Sequence, residues 1–253
     1  MYSLLNTLFV GKVYHQKEES SSTNDELAEM VQKYPKTEGM ILQAVSQYRG
    51  RGQRGRHWIS EKGLNLTFSV LLIPEFLRAN EVFLLNQIAS LAIHEALTKL
   101  TILKFSIKWP NDILYKGSKI AGILIENQLS GQKISQTIVG IGLNVNQMDF
   151  PPLDRPATSL SLISEKKWDL QYVMAEIAIS LEKYYLMAKA GNYKPIRASY
   201  HHQLYLLEKE AKFQCGNHII QGIIIGVSNE GLLRIKMANE TKEFDIREVH
   251  FLE

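Results

Sequence analysis

One cysteine, Cys215, in 253 residues rules out a disulfide framework and suits a reducing compartment. No stretch approaches the ~20 consecutive apolar residues of a membrane span. The N-terminal M-Y-S-L-L-N-T-L-F-V-G-K has a short apolar run and no basic region ahead of it, so it is a poor signal peptide. The chain therefore reads as cytoplasmic, with no membrane partner. An excess of one charge sign is also lacking, with 29 basic against 26 acidic residues, and a net +3 excludes a polyanion-wrapping or DNA-coating role. The seven histidines show no metal-ligand spacing, and there is no P-loop, repeat or low-complexity segment. His201-His202 reads as a surface pair and Cys215 as a packed thiol. With 45% hydrophobic and 22% charged residues, the chain can bury a substantial core, as one large domain or as one domain plus a small appendage.

What is present is concentrated between Arg49 and Trp58, R-G-R-G-Q-R-G-R-H-W. Glycines at 50, 52 and 55 let the backbone approach a ligand closely. Exposed amides in such a loop form anion-binding concavities, and Arg49, Arg51, Arg54 and Arg56 add planar forks of donors. Four neighbouring cations with almost no apolar anchor should repel one another, so the segment reads as an anion-clasping loop that orders when its ligand arrives. Its glycines spell G-x-G-x-x-G, with Glu75 about 20 residues on, but the dinucleotide fingerprint needs a helix directly after the third glycine. Here R-H-W-I-S-E-K-G leads into the apolar strand L-N-L-T-F-S-V-L-L-I instead. Nucleic-acid binding by Arg-Gly contacts and a merely solvated basic loop are the remaining alternatives.

Ahead of the loop, Leu27, Met30, Val31 and Tyr34 keep the spacing of an amphipathic helix. Ser22 and Thr23 are candidate caps, and Thr23 with Glu26 has the form of a capping box. A helix N-terminus also offers free amides to an anion or carbonyl. A strand from Gly39 delivers the loop, with Gln47 at its mouth able to donate and accept. A second strand covers Leu64 to Ile73, and a deeply packed helix runs from about Asn80 to Leu100. K-F-S-I-K-W-P alternates, so Lys108 is the last polar-face residue before Pro110 ends the strand. It is either a solvated lysine or an ammonium reaching into a pocket, while Asn111 and Asp112 serve the turn.

K-I-A-G-I-L-I-E-N-Q-L reads as a central strand, apolar on both faces up to Glu126. In the next strand, Val139, Ile141, Leu143 and Val145 occupy one face and Gly140, Gly142, Asn144 and Asn146 the other. Two glycines and two asparagines do not make a packed surface. They make either the floor of a ligand pocket, with Asn144 reading a base or carbonyl, or a bulge and turn. Helical spacing returns from Asp169 to Lys189 and from Ile196 to Leu206. Beyond Glu208, short β segments broken at Gly216-Asn217, Asn229-Glu230-Gly231 and Asn239-Glu240 form a small β-barrel.

S-S-T-N, the Arg-Gly loop, K-W-P-N-D, K-I-A-G-I-L-I-E and G-I-G-L-N-V-N occur in that order, and with them the chain resembles biotin protein ligases over nearly its whole length. The resemblance implies an α/β (α+β) fold: a mixed β-sheet catalytic domain with packed helices over residues 1–206 and a small C-terminal SH3-like β-barrel over 207–253. It implies a reaction in which biotin and ATP with Mg2+ give biotinyl-5′-AMP, and a lysine of a biotin carboxyl carrier domain takes the biotinyl group. On that basis Lys108 and Arg51 would be catalytic. Ser22, Thr23, Asn24 and Gln47, with Arg51, Gly52, Gln53 and Lys108, would bind biotin. Arg51, Gly52, Gln53, Arg54, Arg56, Trp58 and Asn144 would hold ATP and the adenylate. The metal ligands are not assigned, and a monomer or weak homodimer is expected. Some relatives carry an N-terminal DNA-binding module, and about twenty residues before Ser22 are too few for one, so no repressor activity is expected. Gln53 and His57 stand where related ligases often have arginine and lysine. A lipoate ligase remains the nearest alternative, and the Arg-Gly loop argues against it.

Overall fold

The structure, a computed structural model, describes residues 6–152 and 155–252, with the side chain of Arg54 outside the described set. Its main sheet holds β1 (Tyr14–Ser20), β2 (Ile41–Gln47), β3 (Leu66–Leu72), β4 (Ser106–Lys108), β5 (Asp112–Tyr115), β6 (Ser118–Ser130) and β7 (Lys133–Leu143). Their spatial order is β1-β2-β3-β7-β6-β5-β4. β1 and β2 are parallel and are joined through helix α1 (Thr23–Lys33), the crossover that a parallel pair requires. Every other neighbouring pair is antiparallel, so the sheet is mixed.

Alternation along the strands separates the two faces. Ile41, Phe68, Val70, Val139 and Ile141 join one apolar cluster with α2 (Phe83–Thr101) and α4 (Leu170–Lys189). Leu42, Leu71 and Ile138 face the other way and pack with Leu27 and Val31 of α1. This second face changes character along its length. β3 goes from Leu71 through Ser69 to Thr67, and β7 from Ile138 through Gly140 to Gly142, each residue paired with its counterpart across the ladder. Helix α1 covers the apolar end, its first turn reaches Ser69 and Gly140 through Thr23 and Asn24, and Thr67 and Gly142 lie beyond it.

Several elements differ from the sequence reading. β1 was not foreseen, because an edge strand exposed along most of its length carries no apolar alternation. The short helix α3 (Leu160–Ser164) was also unforeseen, and α5 covers Tyr193–His202 rather than Ile196 to Leu206. The cap of α1 is Ser22, which accepts from the Asp25 amide, and not Thr23. β7 ends at Leu143, where Asn65 Oδ1 takes the Val145 amide at 2.9 Å and draws the chain out of the sheet.

The C-terminal strands β8 (Glu210–Cys215), β9 (His218–Val227), β10 (Leu233–Lys236), β11 (Thr241–Phe244) and β12 (His250–Leu252) form an antiparallel sheet ordered β11-β10-β9-β8-β12. It shares a core with the main sheet: Phe213, Ile224, Leu233 and Val249 belong to the same apolar cluster as Ile107 and Trp109. His201 is part of this seam, its Nε2 donating to the Ile225 carbonyl at 3.0 Å, so the His-His pair is not simply a surface feature.

Candidate functional site

One row of paired residues crosses the open face of the main sheet: Lys108 opposite Asp112, Asp112 opposite Gly122, Gly122 opposite Gly142, and Gly142 opposite Thr67. These five residues line a cleft of about 310 Å³, within the range that suits a small ligand. The row places an ammonium at one end, a bare backbone in the middle and a hydroxyl at the other. An irregularity in the β5–β6 pairing between Ile113 and Leu114 brings Lys119 to the same side. There its Nζ meets Asp112 Oδ1 at 2.6 Å.

Ser22, Thr23, Asn24 and Gln47 form the polar end of the cleft. Gln47 Oε1 accepts the Thr23 amide at 2.9 Å, which ties the start of α1 to the end of β2. Asn24 donates through Nδ2 to Glu126 Oε2 at 2.7 Å. Ser69 Oγ lies 2.7 Å from Thr23 Oγ1 and 2.6 Å from Asn24 Oδ1. Having one proton, it serves one acceptor at a time, so this end can re-orient its hydrogen bonds around a polar ligand. Glu26 braces the rim from behind, accepting from Ser20 Oγ at 2.8 Å, the Ser21 amide at 3.1 Å and Lys17 Nζ at 2.6 Å. Burial raises its pKa, but these hydrogen bonds outweigh burial and hold the carboxyl below its usual range.

The Arg-Gly loop is folded back on itself. Arg51 bridges His57, the Gly52 amide donates to Arg56 O at 2.7 Å, the Trp58 amide donates to Gly50 O at 2.9 Å, and Gln53–Gly55 makes a 3-10 turn. Two features correct the expectation of an unanchored, self-repelling loop. Trp58 lays its indole against Gly142 so closely that a side chain there would overlap the ring. Arg51 Nη2 is neutralised by Asp25 at 2.5 Å and Glu126 at 3.0 Å. Gln53 Oε1 and Trp58 Nε1 are buried with no hydrogen-bond partner among the described residues, an arrangement that costs free energy unless a ligand completes it.

A sequence model of the Biotin/lipoate A/B protein ligase family matches residues 17–144, from within β1 to just past β7. The chain belongs to this family. Among relatives, the bifunctional ligase/repressor BirA of Bacillus spizizenii is 32% identical over 209 residues, covering 81% of this chain and 64% of the relative's length. The biotin–(acetyl-CoA-carboxylase) ligase of Paracoccus denitrificans is 28% identical over 199 residues, or 76% of this chain and 82% of its own. The solved biotin protein ligase of Aquifex aeolicus, in complex with biotin and ATP, matches with a TM-score of 0.80 at 31% identity, covering 94% of this chain and 98% of that one.

In this biotin/lipoate ligase fold, Ser22, Thr23, Asn24, Gln47, Arg51, Gly52, Gln53, Arg56, Trp58 and Lys108 all line this one cleft together. The Arg54 side chain lies outside the described residues. The reading of Asn144 and Asn146 as cleft floor is corrected. Both lie beyond the end of β7, are buried, and are not among the lining residues. Asn146 cross-links α3 to Trp168, and Asn144 Nδ2 donates to the Thr158 carbonyl at 3.0 Å. The Asn144 Oδ1 is buried with no hydrogen-bond partner among the described residues. Asn111 and Asp112, read as turn residues, line the cleft, as do Thr67, Lys119, Gly122 and Arg155 and the C-terminal Ile246, Val249, His250 and Phe251, to which sequence reading gave no site role. The small residue at Gly122, within a motif otherwise read as fully packed, was the one local signal available for this wall.

Proposed function

We propose that the chain is an ATP-dependent biotin–protein ligase that activates biotin as biotinyl-5′-AMP and transfers it to a lysine of a biotin carboxyl carrier domain. One observation carries the reading: Lys108 and the Ser22–Asn24 rim face each other across one cleft over a glycine floor, beside a cationic loop. Family membership and the names of the relatives, one a biotin–(acetyl-CoA-carboxylase) ligase and one solved with biotin and ATP, support it.

A carboxylate is a poor acyl donor because its leaving group would be oxide. Attack of the biotin carboxylate oxygen on the α-phosphorus of ATP expels pyrophosphate and leaves a mixed anhydride. The acceptor amine then attacks its carbonyl carbon, AMP departs, and the amine gives up a proton. The first step presses two anions together, so it needs a fixed cation between them, and Lys108 takes that role. Magnesium enters as MgATP. Among the described residues no group of three or more His, Cys, Asp or Glu could hold a metal by itself. Ser22, Thr23, Asn24 and Gln47 receive the ureido head. Arg51, Gly52, Gln53, Arg54 and Arg56 clasp the adenylate. Trp58 offers a flat apolar face to the nucleotide. A loop that closes over an anhydride also excludes water and slows its hydrolysis.

The test is incubation with biotin, MgATP and a carrier domain, followed by intact-mass measurement of the carrier. A gain of one biotinyl group is expected. No gain with biotin, or a gain with lipoate in its place, removes the reading.

A further inference from the structure

We propose that Phe251, near the C-terminus, is a positioning residue that sets the ammonium of Lys108 for adenylation; the inference rests on the ligase reading above. Lys108 Nζ lies over the Phe251 ring, 4.9 Å from its centroid, inside the range of a cation–π contact. The ring is itself held in place. Phe251 is in register with Phe213 across β12 and β8. The two rings meet edge-on at 5.4 Å, and Tyr205 flanks Phe251 at 6.5 Å.

The same region fixes the other end of the lysine. Ile107, one residue before it, donates its amide to Gln203 O at 2.7 Å and accepts from the Tyr205 amide at 2.8 Å. Trp109, one residue after it, donates Nε1 to Gly231 O at 2.9 Å. Backbone and ammonium are therefore both held by the chain that follows α5, between Gln203 and Phe251, although Lys108 belongs to the main sheet. A lysine side chain has four rotatable bonds and loses substantial entropy when held in one place. A ring face restrains it without adding a formal negative charge that would compete with the carboxylate and phosphate it has to bridge. Val249 and His250 line the cleft beside Phe251, so this strand forms one wall of the site.

The experiment compares biotin-dependent exchange of pyrophosphate into ATP for the wild type, Phe251→Leu, Phe251→Met and Phe251→Tyr, with melting temperatures measured in parallel. Losing the ring face should lower kcat roughly five- to tenfold in the Leu and Met variants, with KM for biotin and for ATP held within about twofold. Phe251→Tyr, which keeps the face, should restore most of the rate. In full-length protein, Lys108 should also be methylated faster by formaldehyde and borohydride in Phe251→Leu than in wild type, as read by peptide mass. The proposal fails if the Leu and Met variants exchange at the wild-type rate. It also fails if Tyr is as slow as Leu, or if the loss appears in KM or in melting temperature instead of kcat. Absence of exchange in the wild type removes the ligase reading itself, a result distinct from normal wild-type exchange with indifferent variants.

Discussion

A single methyl group on the cleft floor tests whether Trp58 belongs to the nucleotide site. A Cβ built on Gly142 would overlap Trp58 Cε2 and lie 2.7 Å from both Cδ2 and Cζ2 of the ring. Ordinary carbon contacts start at about 3.5 Å, so the ring must retreat by about 1 Å. Gly142 does not have a left-handed backbone, so β7 itself accepts alanine. The overlap therefore falls on the loop and not on the core. Overpacking of this kind costs about 1–3 kcal/mol, which corresponds to a roughly five- to hundredfold loss at 1.4 kcal/mol per decade. If the indole face receives the nucleotide, Gly142→Ala should raise KM for ATP by that factor in the exchange assay and leave the melting temperature nearly unchanged. Gly122→Ala is the matched control. Its Cβ would stand 3.1 Å from Lys119 Cε and Nζ, the movable end of a flexible side chain, and 3.5 Å from Trp58 Cζ3. Its effect should be no more than about threefold. An unchanged KM for ATP in Gly142→Ala, or equal losses in the two variants, would refute the reasoning.

Lys108→Ala should abolish biotin-dependent exchange while the protein keeps its fold, since the side chain is only partly buried at the end of a three-residue strand; near-normal exchange takes the lysine out of the mechanism. Biotin with ATP should protect the Arg49–Arg56 segment from trypsin, and Glu126→Gln, which weakens the clasp on Arg51, should speed cleavage in the absence of ligand; equal digestion in all cases counts against loop closure. Burial depresses the pKa of His94 below its ordinary 6.5, with the hydrogen bond to the Phe105 carbonyl acting in the opposite direction. The folded state thus favours the neutral ring, so its contribution is present above pH 6.5 and is lost as pH falls through the depressed value. The melting temperature of His94→Gln should depend less on pH than that of the wild type in that window, and parallel curves exclude the assignment.

Some of the site was written locally. The alternation of Val139, Ile141 and Leu143 against Gly140 and Gly142 announces a strand with one bare face. Pro110 directly after the K-W step places Lys108 at a strand end, and the Ser22–Asn24 run announces the start of a helix. Each rests on a period or cap contained within a few residues, so a linear reading suffices. Asn144 shows where that reading fails. It continues the parity of Gly142, but Asn65, eighty positions away, takes the Val145 amide and ends the strand. The register that sets Lys108, Asp112, Gly122, Gly142 and Thr67 in one row depends on four strand pairings. The pairing of Arg51 with Glu126, the seating of Trp58 on Gly142 and the approach of Phe251 to Lys108 likewise join residues far apart in the chain. Periodicity tells a residue which face it occupies, and only the packed tertiary structure decides what stands opposite, because that partner is chosen by the summed burial of the whole core and not by any neighbour in sequence.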